Sequence, residues 1–200
     1  MARRSDHSRE EIRHLALDAA EEIIASDGYK GLSARKIAKA IGYTVGTLYL
    51  VFKNLDDLII QVNGRTLDNL YDWLTERHGD SMDGHQSLLS LTRAYIDYAE
   101  QESPRWNLLT DYVVENGQEL PDWYEAKLGK VFGLVEHSLA ECNSHHDDLT
   151  MRRAARVLWA GVNGICISKI RHRFSLAGGQ SATEMAEMLI DTFLRGFSQQ

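Results

Sequence analysis

Apolar residues recur along the chain at helical spacing, and nowhere in the strict alternation that marks a half-buried strand. Ile12, Leu15, Ala16, Ala19, Ala20, Ile23 and Ile24 follow the i, i+3, i+4, i+7 rule and predict an amphipathic first helix. Ser8 and Glu11 form a capping box at its start, and Gly28 supplies the left-handed residue that ends it. The stretch from Gly31 to Lys53 is punctuated for two short helices. Ser33 caps the first, with Leu32 and Ile37 at the two positions of a hydrophobic staple, and Gly42 stops it. Thr44 caps the second, with Tyr43 and Leu48 as the next staple. Two short helices joined by a tight glycine turn make a helix-turn-helix. Asn54, with Asp56 and Asp57 at the positive end of the dipole, opens a fourth helix, and Leu55, Leu58, Ile59, Val62, Leu67, Leu70 and Leu74 carry its apolar stripe to about His78.

Beyond the polar stretch 78–85, the breaks at Ser103-Pro104, at Gly117 to Pro121, at 142–148 and at 172–181 leave room for five further helices. The eighth, Leu149 to Arg171, is apolar almost all round from Val157 to Ile167, which predicts burial on most sides or a subunit contact, and Gly161 and Gly164 admit a close neighbour. The ninth starts with a capping box from Ser181 to Glu184 and aligns Met185, Leu189, Thr192, Phe193 and Gly196 on one face. The expected fold is all-α, with about nine helices: a three-helix unit over 1–54, a connecting helix over 55–78, and a larger helical domain over 79–200.

Charge divides the chain in the same place. The formal net charge is −7, yet residues 1–60 balance nine Lys or Arg against nine Asp or Glu, and the acidic excess lies in the remainder. Gly28 to Leu55 contains Lys30, Arg35, Lys36, Lys39 and Lys53 and no acid, a local basic surface on an acidic molecule. No apolar run approaches a membrane span, and the basic residues of MARRSDHSREE are followed by no apolar segment, so no membrane partner and a cytoplasmic location are expected. Cys142 and Cys166 do not make a disulfide framework. Catalysis finds no support: no strand exists for a nucleophile elbow and no glycine-rich loop follows one. His145-His146-Asp147-Asp148 offers adjacent ligands in a polar loop rather than separated ligands on a helix face, so neither a metal nor a cofactor is expected.

The string LSARKIAKAIGYTVGTLYLVFKNLDDLI, residues 32–59, resembles the DNA-binding signature of the TetR family, with Ile37, Ala38, Gly42, Gly46, Thr47, Leu48, Tyr49, Phe52 and Leu58 where its pattern places them. Physics alone assigns Ile37, Ala38, Ile41, Leu48 and Phe52 to the packing of two short helices on the first. Ser33 and Thr44, at helix N-termini, are candidates to position phosphates, and Arg35, Lys36, Lys39 and Lys53 to neutralise them. The resemblance implies that Thr44, Val45, Thr47 and Tyr49 reach the major groove or its flanking phosphates, with Gly46 allowing close backbone approach. Leu50 and Val51, where the family often carries Tyr or His, are left off the contact set.

The likeness of 80–200 is one of layout. It implies a domain that senses a ligand and dimerises through its last two helices, here through Val157, Gly161, Gly164, Ile165, Leu189, Phe193 and Gly196. LWAGVNG, residues 158–164, is similar to a Trp-His-Gly motif with Asn163 in place of the histidine. Tyr95, Trp106, Tyr112, Trp123, Phe132 and Trp159, with Asn163, are the candidate lining of an apolar effector pocket, although a plain core uses the same residue types. The reading is a homodimeric repressor that binds a palindromic double-stranded operator and is released by a small, largely apolar effector through helix four as the lever. A helical adaptor without DNA binding is the alternative.

Overall fold

The computed structural model describes residues 7–77, 83–112, 119–142, 146–171 and 181–197. Among these, nine α-helices and one 3₁₀ turn (Tyr29–Gly31) follow one another with no strand: α1 Arg9–Asp27, α2 Ala34–Ala40, α3 Val45–Leu48, α4 Leu55–Arg77, α5 Gly84–Gln101, α6 Ser103–Asp111, α7 Asp122–Cys142, α8 Asp148–Ile170 and α9 Ala182–Phe197. The all-α fold expected from the sequence is the fold observed. None of the helices is long and apolar enough to cross a membrane.

The caps carry their expected bonds. Glu11 N–H donates to Ser8 Oγ at 3.2 Å while Glu11 Oε2 accepts from Ser8 N–H at 2.6 Å, closing the capping box of α1. Lys36 N–H donates to Ser33 Oγ at 3.3 Å, Thr47 N–H to Thr44 Oγ1 at 3.2 Å, and Asp57 N–H to Asn54 Oδ1 at 2.7 Å. Gly28 and Gly42 sit at φ 70° and 74°, where only glycine is at ease.

The chain divides into two compact units, residues 1–66 with 102–120, and 67–101 with 121–200. This division differs from the expected boundaries at 54 and 78. The first unit takes in the opening half of α4, because Leu58, Ile59 and Val62 bury with Ile12, Ala16, Ala20, Ile24, Ile37, Leu48 and Phe52 in one cluster. It also takes in α6, whose Leu108 is fully buried in that cluster. Polar bonds fix the same arrangement: Glu21 of α1 accepts from Arg65 of α4 at 3.2 Å and from Arg105 of α6 at 3.1 Å, and Tyr112 donates to Asp56 at 2.5 Å. Helix four is therefore not the sole link between the units, since the chain also crosses at Gln101–Glu102 and Leu120–Pro121.

In the second unit α5 packs on α7, α8 and α9, and α8 packs on both α7 and α9. Leu88, Leu89, Leu139, Met151, Ala154, Ala155, Leu158, Ile190, Leu194 and Phe197 form its core. Both thiols are free, and burial pushes that of Cys166 up to about 12.

One buried polar group is out of keeping with its surroundings. Asn63 of α4 is 3% exposed, and its Oδ1 finds no hydrogen-bond partner among the described residues. An orphaned buried acceptor costs roughly 1–3 kcal/mol, so Asn63→Leu, close in volume, is expected to raise the unfolding free energy by about that amount. Denaturant titration of the two proteins checks it; equal midpoints would mean that Asn63 is satisfied in solution.

Candidate nucleic-acid interface and ligand cavity

The helix-turn-helix sorts its side chains by chemistry. Ile37, Ala38, Leu48, Val51 and Phe52 turn inward. Arg35, Lys36, Lys39, Thr44, Gly46, Tyr49 and Lys53 stand exposed, and Ser33, Val45 and Thr47 are half-buried. All ten residues assigned to DNA from sequence therefore lie on or at the edge of one exposed segment, though not all are equally available. Lys36 Nζ is already paired with Asp27 at 2.9 Å, and this contact holds the Asp27 carboxyl below the usual carboxylate range. The side chains of Arg35, Lys39 and Lys53 enter no ion pair among the described residues, and the backbone N–H of Lys53 donates to Asp57 Oδ2 at 2.8 Å. Thr47 Oγ1 lies 3.0 Å from Thr44 Oγ1, so the two hydroxyls present themselves as a hydrogen-bonded pair.

Helix α3 is a single turn, and the chain beyond it tightens: Leu50 N–H donates to Thr47 C=O at 3.2 Å and Val51 N–H to Leu48 C=O at 3.1 Å, both 3₁₀-type bonds. Gly46 is not needed by the fold. Its φ is not positive, and a Cβ there would meet only Thr44 Oγ1 at 3.7 Å, an ordinary contact. Its missing side chain leaves the backbone open on the outside of the turn.

The second unit contains an apolar cavity of about 60 Å³ between α4, α5, α7, α8 and α9, walled mainly by leucines and valines. Of the residues expected to line a pocket, Tyr95, Phe132 and Trp159 do so. Tyr95 Oη donates to Asn163 Oδ1 at 3.0 Å, which places Asn163 one bond behind the wall. Phe132 and Trp159 meet edge to face with centroids 5.8 Å apart, and the Arg156 guanidinium covers the Phe132 ring at 4.5 Å. Trp106, Tyr112 and Trp123 stand elsewhere. Trp106 is buried in α6 of the first unit, Tyr112 packs on the helix-turn-helix core, and Trp123 lies half-open beside Tyr124. For Trp106 and Tyr112 the aromatic character marked burial, not which core they fill, and Trp123 is exposed. Leu74, Leu91 and Val162, which do line the cavity, carried no signal in the sequence beyond helical periodicity.

Of the expected contact face of α8 and α9, Val157, Gly164 and Gly196 are exposed in the single chain, and Gly161, Ile165, Leu189 and Phe193 are half-buried. Val157 is 59% exposed and Met188 69%, with Gly164 and Gly196 open beside them. The all-round apolar run of α8 thus resolves into a buried row, Leu158, Val162 and Cys166, and an uncovered one. Leu189 lies over Gly161, where a Cβ would come within 2.5 Å of its Cδ2. Ile165 is half-buried, and Phe193 stacks on Phe197 at 5.4 Å. Among the described residues no group of three His, Cys, Asp or Glu is arranged to hold a metal; His145 lies outside them.

Comparison with known proteins identifies relatives along most of the chain. Residues 16–62 match the model for bacterial regulatory proteins of the tetR family, and residues 88–193 match that for the tetracyclin repressor-like C-terminal domain. The chain is 30% identical over 168 residues to the HTH-type transcriptional activator FasR of Mycolicibacterium smegmatis, covering 82% of this chain and 73% of that protein. A solved structure of a protein with unknown function from Rhodococcus sp. RHA1 superposes with a TM-score of 0.75 at 19% identity, over 97% of this chain and 98% of the other. The transcriptional regulator FadR from Bacillus subtilis, solved in complex with stearoyl-CoA, superposes with a TM-score of 0.69 at 17% identity, over 92% and 98% of the two chains.

Proposed function

The chain belongs to the TetR family of bacterial regulatory proteins, and from that premise we propose that it is a homodimeric repressor that binds a palindromic operator through α2 and α3 and is released by a small, largely apolar effector. DNA-binding regulators of transcription, not enzymes, make up this family. The observation that carries the reading is the sorting of the helix-turn-helix: Ile37, Ala38, Leu48, Val51 and Phe52 are spent on the core, while Arg35, Lys39 and Lys53, whose side chains enter no ion pair among the described residues, share its outer surface with the open backbone of Gly46. Phosphate attraction then supplies affinity, and the α3 side chains supply register and base contact.

Two copies joined through the uncovered faces of α8 and α9 form a four-helix interface, and their twofold axis matches a palindrome whose half-sites lie about one DNA turn, ~34 Å, apart. The effector enters the apolar cavity. That cavity, about 60 Å³ and partly open to the surface, holds about two water volumes, so a larger guest extends through its open side or pushes apart the helices that wall it. A ligand that favours the widened arrangement biases the dimer toward it, and the operator favours the other. The stearoyl-CoA held by the FadR structure, an apolar acyl chain on a charged carrier, supports the apolar part of this reading and not the small size.

Titration of duplex DNA at several salt concentrations tests the reading. Lys53→Ala should lower affinity for every sequence and reduce the salt slope by about one ion. Gly46→Ala should leave the melting temperature unchanged or slightly raised, and weaken operator binding by about 1–3 kcal/mol, the scale of one lost groove contact. A wild-type protein that shifts no duplex at low salt would favour the adaptor reading instead.

A further inference from the structure

The outer surface of the helix-turn-helix carries one side chain that the contact set above omits. Leu50 is 64% exposed, the most exposed large apolar residue described in the first unit, while Leu48, Val51 and Phe52 around it are buried. A single exposed leucine is ordinary on a protein surface; its neighbours set this one apart. It stands four residues after Gly46 and three after Thr47, and its N–H bonds back to the Thr47 carbonyl at 3.2 Å. Residues three apart eclipse each other in 3₁₀ geometry, and residues four apart share a helix face. Leu50 therefore continues the row of Gly46 and Thr47 along the outside of the turn. Tyr49, 45% exposed, flanks it. The Lys53 and Lys39 side chains, exposed and in no ion pair among the described residues, add positive charge to the helix-turn-helix and so favour a polyanion as the occupant of its outer surface.

An aliphatic side chain offers nothing to a phosphate oxygen, and it leaves most base edges, which are donors and acceptors, unsatisfied. The one apolar group that B-DNA presents in its major groove is the 5-methyl group of thymine. Resting on the DNA-binding reading above, we propose that Leu50 is a specificity-determining residue that packs on a thymine methyl group in each operator half-site. Its contribution is selection of that base rather than general attraction.

The test uses the full-length protein and a duplex enriched by it from a random pool. Each thymidine is replaced in turn by deoxyuridine, which deletes the methyl group and leaves the hydrogen-bonding edge intact. The wild-type protein is expected to lose about fourfold in affinity for substitution at one thymine of a half-site, the effect of exposing one buried methyl-sized group, and about the square of that when both half-sites are changed. Leu50→Ala is expected to keep the wild-type melting temperature, because the side chain is exposed, and to bind the thymine and uracil duplexes alike at that position. Leu50→Met is expected to keep the discrimination. Four outcomes overturn the proposal: no thymine at which uracil weakens the wild type; a uracil penalty that persists in Leu50→Ala; a penalty that disappears in Val45→Ala and not in Leu50→Ala; or a change in solution mass on Leu50→Ala, which would make the surface a contact between copies. Failure of the wild type to enrich any duplex would instead sink the DNA-binding reading itself.

Discussion

Leu108→Ala is expected to destabilise the first unit by about 2–5 kcal/mol, and to lower the apparent affinity for DNA with it, although α6 lies far along the chain from the helix-turn-helix. Leu108 is fully buried in the cluster that includes Ile24, Ile37, Leu48 and Phe52. Truncating it leaves a cavity beneath the helices that present the DNA surface, and partial collapse does not recover the lost contacts. Single domains hold only about 5–15 kcal/mol of stability in all, so a loss on this scale populates unfolded molecules at ordinary temperatures. Tyr112→Phe, which removes only the hydroxyl bonded to Asp56, should cost less, roughly 1.5–3 kcal/mol for a bond to a charged group. Thermal melts and operator titrations of both variants check the order. An unchanged melting temperature for Leu108→Ala would mean that α6 does not belong to this core in solution.

If the proposed dimer forms through α8 and α9, the double change Val157→Asp with Met188→Asp is expected to leave a folded monomer and to weaken operator binding by about 10²–10⁴-fold, the range lost when two linked binding events become independent. Both side chains are largely exposed in the single chain, so the protomer loses little by their replacement. Four carboxylates brought together across a twofold axis in an apolar interface, by contrast, pay desolvation and mutual repulsion at once. Light scattering gives the mass, and helical circular dichroism shows whether the fold survives. A dimer of unchanged mass would place the subunit contact on another face.

Local signals in the sequence were sufficient for the helix-turn-helix. The capping box of Ser8 and Glu11, the caps Ser33, Thr44 and Asn54 and the turn at Gly42 are each decided by residues within a few positions of one another, and the structure has each of these bonds. The membership of α6 in the first unit was not legible, because it depends on Leu108, Arg105 and Tyr112 meeting α1 and α4 across long stretches of chain. The same blindness put Trp106 and Tyr112 on the pocket wall: aromatic composition says that a side chain seeks burial and not where. Lys36 counted as a free cation until the fold brought Asp27 beside it from the end of α1. Helix α8 read as apolar on all sides, and only packing divides that surface into Leu158, Val162 and Cys166 inside and Val157 and Gly164 outside. The family pattern marks Leu50 only as a position without its usual tyrosine or histidine, whereas its exposure beside Gly46 and Thr47 is a property of the folded turn.

The most direct measurement of sequence-specific DNA binding by α2 and α3 is enrichment of duplexes from a random pool by the wild-type protein, with Gly46→Ala run in parallel. The expected result is one palindromic motif, with half-site centres about 10–10.5 base pairs or a multiple apart, enriched by the wild type and much less by the variant. Enrichment of no sequence at any salt concentration, or equal enrichment by both proteins, would contradict it.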